Sequence, residues 1–131
     1  MAVITKQAGL SAARKRITYV ARQLRFSAEE TEALLLAVGE AVTNAYVHGT
    51  PEPGAGLIYL GWQCEGDTLI VTIRDEGLGK CDKGRVPLSE QRVIMLGCGI
   101  ELMRSVMDEV DIRFERGTTV ILKKRNRSLI I

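Results

Sequence analysis

The chain has 131 residues and a mass of 14.4 kDa, which is one compact domain with room for a sizeable core, and not a two-domain enzyme. Its 46% apolar and 26% charged residues exclude intrinsic disorder and a fibrous repeat, and no apolar run reaches the roughly 18 residues that cross a bilayer. The net charge of +2 is close to balance but unevenly spread: Lys6, Arg14, Lys15, Arg16, Arg22 and Arg25 all precede the first acid, Glu29.

Ala13, Ile17, Val20, Ala21 and Leu24 recur at helical spacing after Leu10, with Arg14, Thr18, Arg22 and Arg25 on another face. That pattern predicts an amphipathic first helix between Leu10 and Leu24, interrupted by Phe26 and Ser27. Ser27-Ala28-Glu29-Glu30 reads as a capping box, in which the Ser hydroxyl and the Glu30 carboxylate satisfy free N–H groups of a second helix. Along that helix Leu34, Leu35, Val38, Ala41, Val42 and Ala45 gather on one arc, which faces the core. Glu40, Asn44 and His48 are spaced four apart at its edge, and Gly49, Pro51, Pro53, Gly54 and Gly56 end the helix in a loop.

Residues 57 to 63 and 68 to 74 read as strands joined by Glu65-Gly66-Asp67, which has hairpin turn chemistry. From Glu76 to Leu96 the pattern breaks up around Gly77, Gly79, Gly84 and Pro87, a mobile loop of a length usually kept for function. Helical spacing returns at Ile100, Met103, Val106, Met107 and Val110, and 111 to 115 with 118 to 124 reads as a second hairpin turning at Arg116-Gly117. The basic run Lys123-Lys124-Arg125-Asn126-Arg127 reads as a fraying, solvated end. The expected fold class is α+β: a two-layer sandwich with helices on one face of a mixed, mostly antiparallel sheet, residues 1–131 forming one domain.

Cys64, Cys81 and Cys98 are far apart and make no C-x-x-C pair, so reduced thiols are expected. With His48 the sole histidine, the chain lacks the ligand cluster of a zinc site.

Three distant segments hold residue types that packing alone does not explain. In Glu40-Ala-Val-Thr-Asn44-Ala-Tyr-Val-His48-Gly49 a carboxylate and an amide lie one turn apart, and an amide oxygen suits Mg²⁺, which takes few protein ligands and relies on phosphate and water for the others. Asp75-Glu76-Gly77-Leu78-Gly79 places an acceptor carboxylate at a strand end before glycines that let backbone approach a flat ligand. Gly97-Cys98-Gly99-Ile100 opens a helix with N–H groups fit to cradle phosphate. There is no G-x-x-x-x-G-K-[ST] to serve as the commoner phosphate cradle.

In this order and spacing the segments resemble the boxes of the GHKL ATPase superfamily: the N-box in Glu40 to Gly49, the G1 box in Asp75 to Gly79, the G2 box in Gly97 to Met103. Within that superfamily the chain resembles the bacterial anti-sigma factor serine kinases of the SpoIIAB and RsbW type, as far as Gly117-Thr118-Thr119. Val71-Thr-Ile-Arg-Asp-Glu-Gly and Met103-Arg-Ser-Val-Met-Asp-Glu-Val are especially close. The resemblance implies a histidine-kinase-like ATP-binding fold, ATP and Mg²⁺ as cofactors, and a role for each matched residue. Asn44 holds Mg²⁺. Asp75 accepts from the adenine amino group with Thr118 in support, while Gly77 and Gly79 shape the pocket. Residues 80 to 96 form an ATP lid. Gly97, Cys98, Gly99 and Ile100 offer N–H groups to the phosphates. Glu40 is the general base that orients a serine hydroxyl, or failing that a water, towards the γ-phosphate. One carboxylate, one metal and a ring of N–H donors suffice, because phosphoryl transfer depends mainly on positioning and charge neutralisation.

The implied function is a cytoplasmic protein serine/threonine kinase that phosphorylates a STAS-domain anti-sigma antagonist and sequesters an RNA polymerase sigma factor. Homodimerisation through the sheet side is implied as well, and Arg14 and Arg16 lie on the helix that the resemblance implies contacts the sigma factor or the antagonist. The alternatives are a stressosome-type switch kinase and a non-catalytic nucleotide-gated binding module; Glu40 favours catalysis. Direct nucleic-acid binding is disfavoured, because aromatic residues are only 5% and no stacking platform is visible. A sensor histidine kinase is disfavoured by the lack of room for a phosphoacceptor hairpin.

Overall fold

The structure, a computed structural model, describes residues 2–4, 9–48, 58–75, 99–113 and 117–127, of which 2–4 and 46–48 are described by backbone alone. In chain order these are β1 (Ala2–Ile4), α1 (Gly9–Gln23), α2 (Ala28–His48), β2 (Ile58–Glu65), β3 (Thr68–Asp75), α3 (Glu101–Val106), β4 (Glu109–Arg113) and β5 (Thr119–Arg125). The five strands form one sheet in the order β1-β2-β3-β5-β4, and all four ladders are antiparallel. The expected two-layer sandwich is therefore present, with no parallel pair among the described strands.

Register fixes which side chains face the helices. Leu60 lies opposite Ile73, Trp62 opposite Val71, Val71 opposite Leu122, Ile73 opposite Val120, and Val110 opposite Leu122. Alternation along each strand then puts these apolar residues on one face. Against that face α2 packs Leu34, Leu35, Val38, Ala41, Val42 and Ala45, all buried, and α1 adds Ala13, Ile17, Val20 and Ala21. Each large side chain buried this way contributes about 1.5–3 kcal/mol.

The helix junction follows local chemistry. α1 ends in a Schellman motif: the Phe26 N–H donates to the Ala21 carbonyl (3.0 Å) and the Arg25 N–H to the Arg22 carbonyl (3.1 Å), with Arg25 in the left-handed region at φ 63°. The expected capping box then starts α2, the Ser27 N–H donating to Glu30 Oε1 at 2.9 Å and the Glu30 N–H to Ser27 Oγ at 3.0 Å. Gly66 turns the first hairpin at φ 63° and Gly117 adopts φ 101° at the second, as their positions in sequence predict.

Three expectations are corrected. The strand β1 was not anticipated; its three residues pair with Ile58, Tyr59 and Leu60 and carry too short a pattern to read. The last helix stops at Val106, because Met107 is extended (φ −108°, ψ 158°), and Val110 belongs to β4, where pairing with Leu122 overrides its helical spacing.

The basic end is not frayed either. Lys123, Lys124 and Arg125 lie in β5, and Asn126 is buried, its Nδ2 donating to the Leu24 carbonyl at 2.7 Å and its backbone N–H to the Asp67 carbonyl at 2.7 Å. Arg125 Nε donates to Asp67 Oδ2 at 2.8 Å, Arg127 Nη2 to Asp108 Oδ1 at 2.6 Å, and the Arg127 N–H to Glu30 Oε2 at 2.8 Å. Specific acceptors at Leu24, Glu30, Asp67 and Asp108 hold what composition alone leaves solvated. The Arg125 guanidinium holds the Asp67 carboxyl below the usual carboxylate range, and Arg127 does the same to Asp108, whose carboxylate in turn raises Arg127.

Candidate functional site

Helix α2 carries Glu40 and Asn44 one turn apart. Its buried arc, Ala41, Val42 and Ala45, seats it on the sheet, and this brings Asn44, 6% exposed, to the end where β3 finishes. There Val71, Ile73 and Asp75 occupy alternate positions of one face, so the Asp75 carboxylate stands where the alternation would otherwise put an apolar side chain. Asp75 is 3% exposed and tied to the neighbouring strand twice: its N–H donates to the Thr118 carbonyl at 3.0 Å, and the Thr118 N–H donates to Asp75 Oδ1 at 3.1 Å. A buried carboxylate needs such donors, and these fix its orientation.

Asn44, Asp75 and Thr118 line one recess, walled by Ala41, Ala45, Ile73 and Val120. The recess has space for about one water molecule, so what it shows of a small-molecule site is a few convergent polar groups among apolar walls. The sequence reading places Ala41 and Ala45 on the core arc of α2, and Ile73 and Val120 only within strands. The available signal was their spacing: Ala41 and Ala45 flank Asn44 on α2, and Ile73 precedes Asp75 by two on the same strand face.

Asn44 Nδ2 is buried without a hydrogen-bond partner among the described residues. Buried amides are normally paired, so this one has a hydrogen bond to spare for a ligand. Its oxygen suits a hard cation and its NH₂ a phosphate oxygen, and the site therefore fits Mg²⁺ with a nucleotide.

Glu40 is half-buried and lies against Gly99, where a Cβ would sit 3.3 Å from Glu40 Cδ and closer still to Oε1. The structure thus joins the first and third segments at these two residues, and the first and second at the recess. Ile100 places its side chain in the core, 4% exposed, so any contact it makes with phosphate is through its backbone N–H. Gly77, Gly79, Gly97 and Cys98, the expected lid at 80–96, and the side chain of His48 lie outside the described residues. Arg14 and Arg16 are exposed on α1, the Arg16 guanidinium standing 5.8 Å from the Trp62 ring centroid. Among the described residues no helix is long and apolar enough to cross a membrane.

A family described as histidine kinase-like ATPase domain matches residues 4–124. A protein of Bacillus subtilis (strain 168) named anti-sigma F factor is 37% identical over 120 residues, covering 87% of this chain and 82% of its own. One of the same name from Geobacillus thermodenitrificans is 35% identical over 120 residues with the same coverage. Among solved structures, that of the RsbU and RsbW domains of a Mycobacterium tuberculosis protein aligns with a TM-score of 0.67 at 15% identity, over 95% of this chain and 31% of that longer one. A blue-light activated histidine kinase of Erythrobacter litoralis aligns with a TM-score of 0.55 at 20% identity, over 81% of this chain and 34% of that one. Both likenesses are of fold.

Proposed function

The chain belongs to the histidine kinase-like ATPase domain family, and from that premise we propose that it is an ATP-dependent protein serine kinase and anti-sigma factor. Its acceptor is a serine of a STAS-domain antagonist, and its other partner is an RNA polymerase sigma factor. One observation carries the reading: Asn44, Asp75 and Thr118, distant in sequence, converge on a single recess, with Glu40 one helical turn away. The names of its relatives support the sigma-factor half.

In this reading Asp75, oriented by the Thr118 N–H, accepts from the adenine amino group between the apolar walls. The Asn44 amide would hold the cation through its oxygen, leaving its unpartnered nitrogen to donate to a phosphate oxygen. Mg²⁺, when bound, supplies neutralisation of phosphate charge. The roles proposed for Gly77 and Gly79 are at the adenine, and for the N–H groups of Gly97, Cys98, Gly99 and Ile100 at the phosphates. Glu40 takes the proton of the attacking serine hydroxyl, a general-base contribution of about 10²–10⁴-fold. The protein acts as a homodimer, with the exposed Arg14 and Arg16 towards its partners.

The test is transfer of labelled phosphate from Mg·ATP to STAS-domain proteins of the same organism. Wild-type protein is expected to label one serine, and Glu40→Ala to bind Mg·ATP normally while labelling falls by about 10²-fold or more. Equal labelling by both proteins removes Glu40 from the chemistry. Tight nucleotide binding with no acceptor labelled would establish the nucleotide-gated binding module instead.

A further inference from the structure

We infer that Gly99 is a positioning residue for Glu40: the missing side chain at 99 is the space in which the Glu40 carboxylate lies, and filling it moves the base off its station. The inference rests on the reading of Glu40 as general base. Its ground is independent of that reading, because the three atoms nearest to a Cβ built at 99 all belong to Glu40: Oε1, Cδ at 3.3 Å and Cβ at 3.5 Å.

The backbone does not require glycine here. Among described glycines only Gly66 and Gly117 have positive φ, so alanine can adopt the conformation of residue 99. The obstacle to a side chain is the carboxylate alone. Nor can the main chain retreat easily, since Ala41, next to Glu40, is 1% exposed and Ile100, next to Gly99, is 4% exposed, both packed in the core. What yields is the free end of the glutamate. An ordinary contact with a Cβ begins at 3.4 Å, so the oxygen must move by roughly 1 Å, a misplacement able to cost about 10²-fold in rate.

The step at risk is the same whether serine or water attacks. The hydroxyl oxygen bonds to the γ-phosphorus, the bond from that phosphorus to the bridging oxygen breaks with its electron pair leaving on ADP, and the hydroxyl proton passes to Glu40. Water as acceptor allows a test on the full chain with Mg·ATP as the sole probe. Wild type, Gly99→Ala, Glu40→Ala and the double variant are compared for kcat of phosphate release, Mg·ATP dissociation constant and urea midpoint.

Gly99→Ala keeps the N–H of residue 99 and is expected to lower kcat by about 100-fold, the loss falling on kcat far more than on the dissociation constant. Adding Gly99→Ala to Glu40→Ala is expected to lower the residual rate by far less than about 100-fold and to leave the midpoint of that variant unchanged. A hundredfold further loss in the double variant overturns the inference, as does a loss in Gly99→Ala that appears as weaker nucleotide binding. A midpoint drop that persists when residue 40 is alanine shows that something other than Glu40 fills the space, and overturns it also. Wild-type turnover by Glu40→Ala would instead sink the base reading itself, a result separable from the others because it involves no change at 99.

Discussion

Replacing Asn44 by leucine should make the free protein more stable and the nucleotide-bound protein less so. Asn44 is 6% exposed, its Nδ2 has no partner among the described residues, and four of its neighbours in the recess are Ala41, Ala45, Ile73 and Val120. A buried donor left unpaired costs about 1–3 kcal/mol, and leucine has a similar shape without it. Asn44→Leu is therefore expected to gain about 1–2 kcal/mol, which at about 4 °C per kcal/mol for a chain of this size raises Tm by about 4–8 °C.

With Mg·ATP at about a hundred times its dissociation constant the wild type gains about 2.7 kcal/mol, whereas the variant, lacking the amide, gains nothing. The two unfolding curves should cross in order between nucleotide-free and nucleotide-saturated samples, measured by thermal or urea unfolding. A nucleotide-free Asn44→Leu protein less stable than wild type would show that the amide is structural. An equal Mg·ATP shift in both would refute its role in holding the ligand.

Asn126→Ala removes a buried side chain and leaves the Leu24 carbonyl at the end of α1 without its side-chain donor in a part-buried setting. It should cost about 1–3 kcal/mol by urea unfolding with Mg·ATP affinity unchanged. Asp67 and Asp108 both titrate below their ordinary range because of Arg125 and Arg127. Their contribution is thus complete above about pH 4 and lost as pH falls through their folded values. Urea midpoints should be level from about pH 7 to pH 5 and drop below pH 4, less steeply in Asp108→Asn; an identical slope in that variant would dismiss the Arg127 pair as a stabiliser.

The ends of both long helices and both turns are legible in the chain because they depend on neighbours in sequence. Ser27 and Glu30 cap across three residues, and Gly66 and Gly117 turn where an L side chain is strained. The α2 arc from Leu34 to Ala45 is legible because burial repeats with the helix. The site was legible as three segments and not as a surface: Asn44, Asp75 and Thr118 stand out by residue type, while Ala41, Ala45, Ile73 and Val120 look like any core residues until the helix is laid on the sheet.

Periodicity, caps and turns are thus local, each settled within a few residues by backbone geometry and hydrogen bonding. Val110 becomes a strand residue through contacts remote in the chain, since its ladder with Leu122 outweighs its helical spacing. The fold alone tied Arg125, Asn126 and Arg127 back to Asp67, Leu24 and Asp108, and set the Glu40 carboxylate where a side chain on Gly99 would be. Those outcomes pair groups from remote parts of the chain, and the energy of a pair is fixed by distance in space, which no pattern along one strand or helix records.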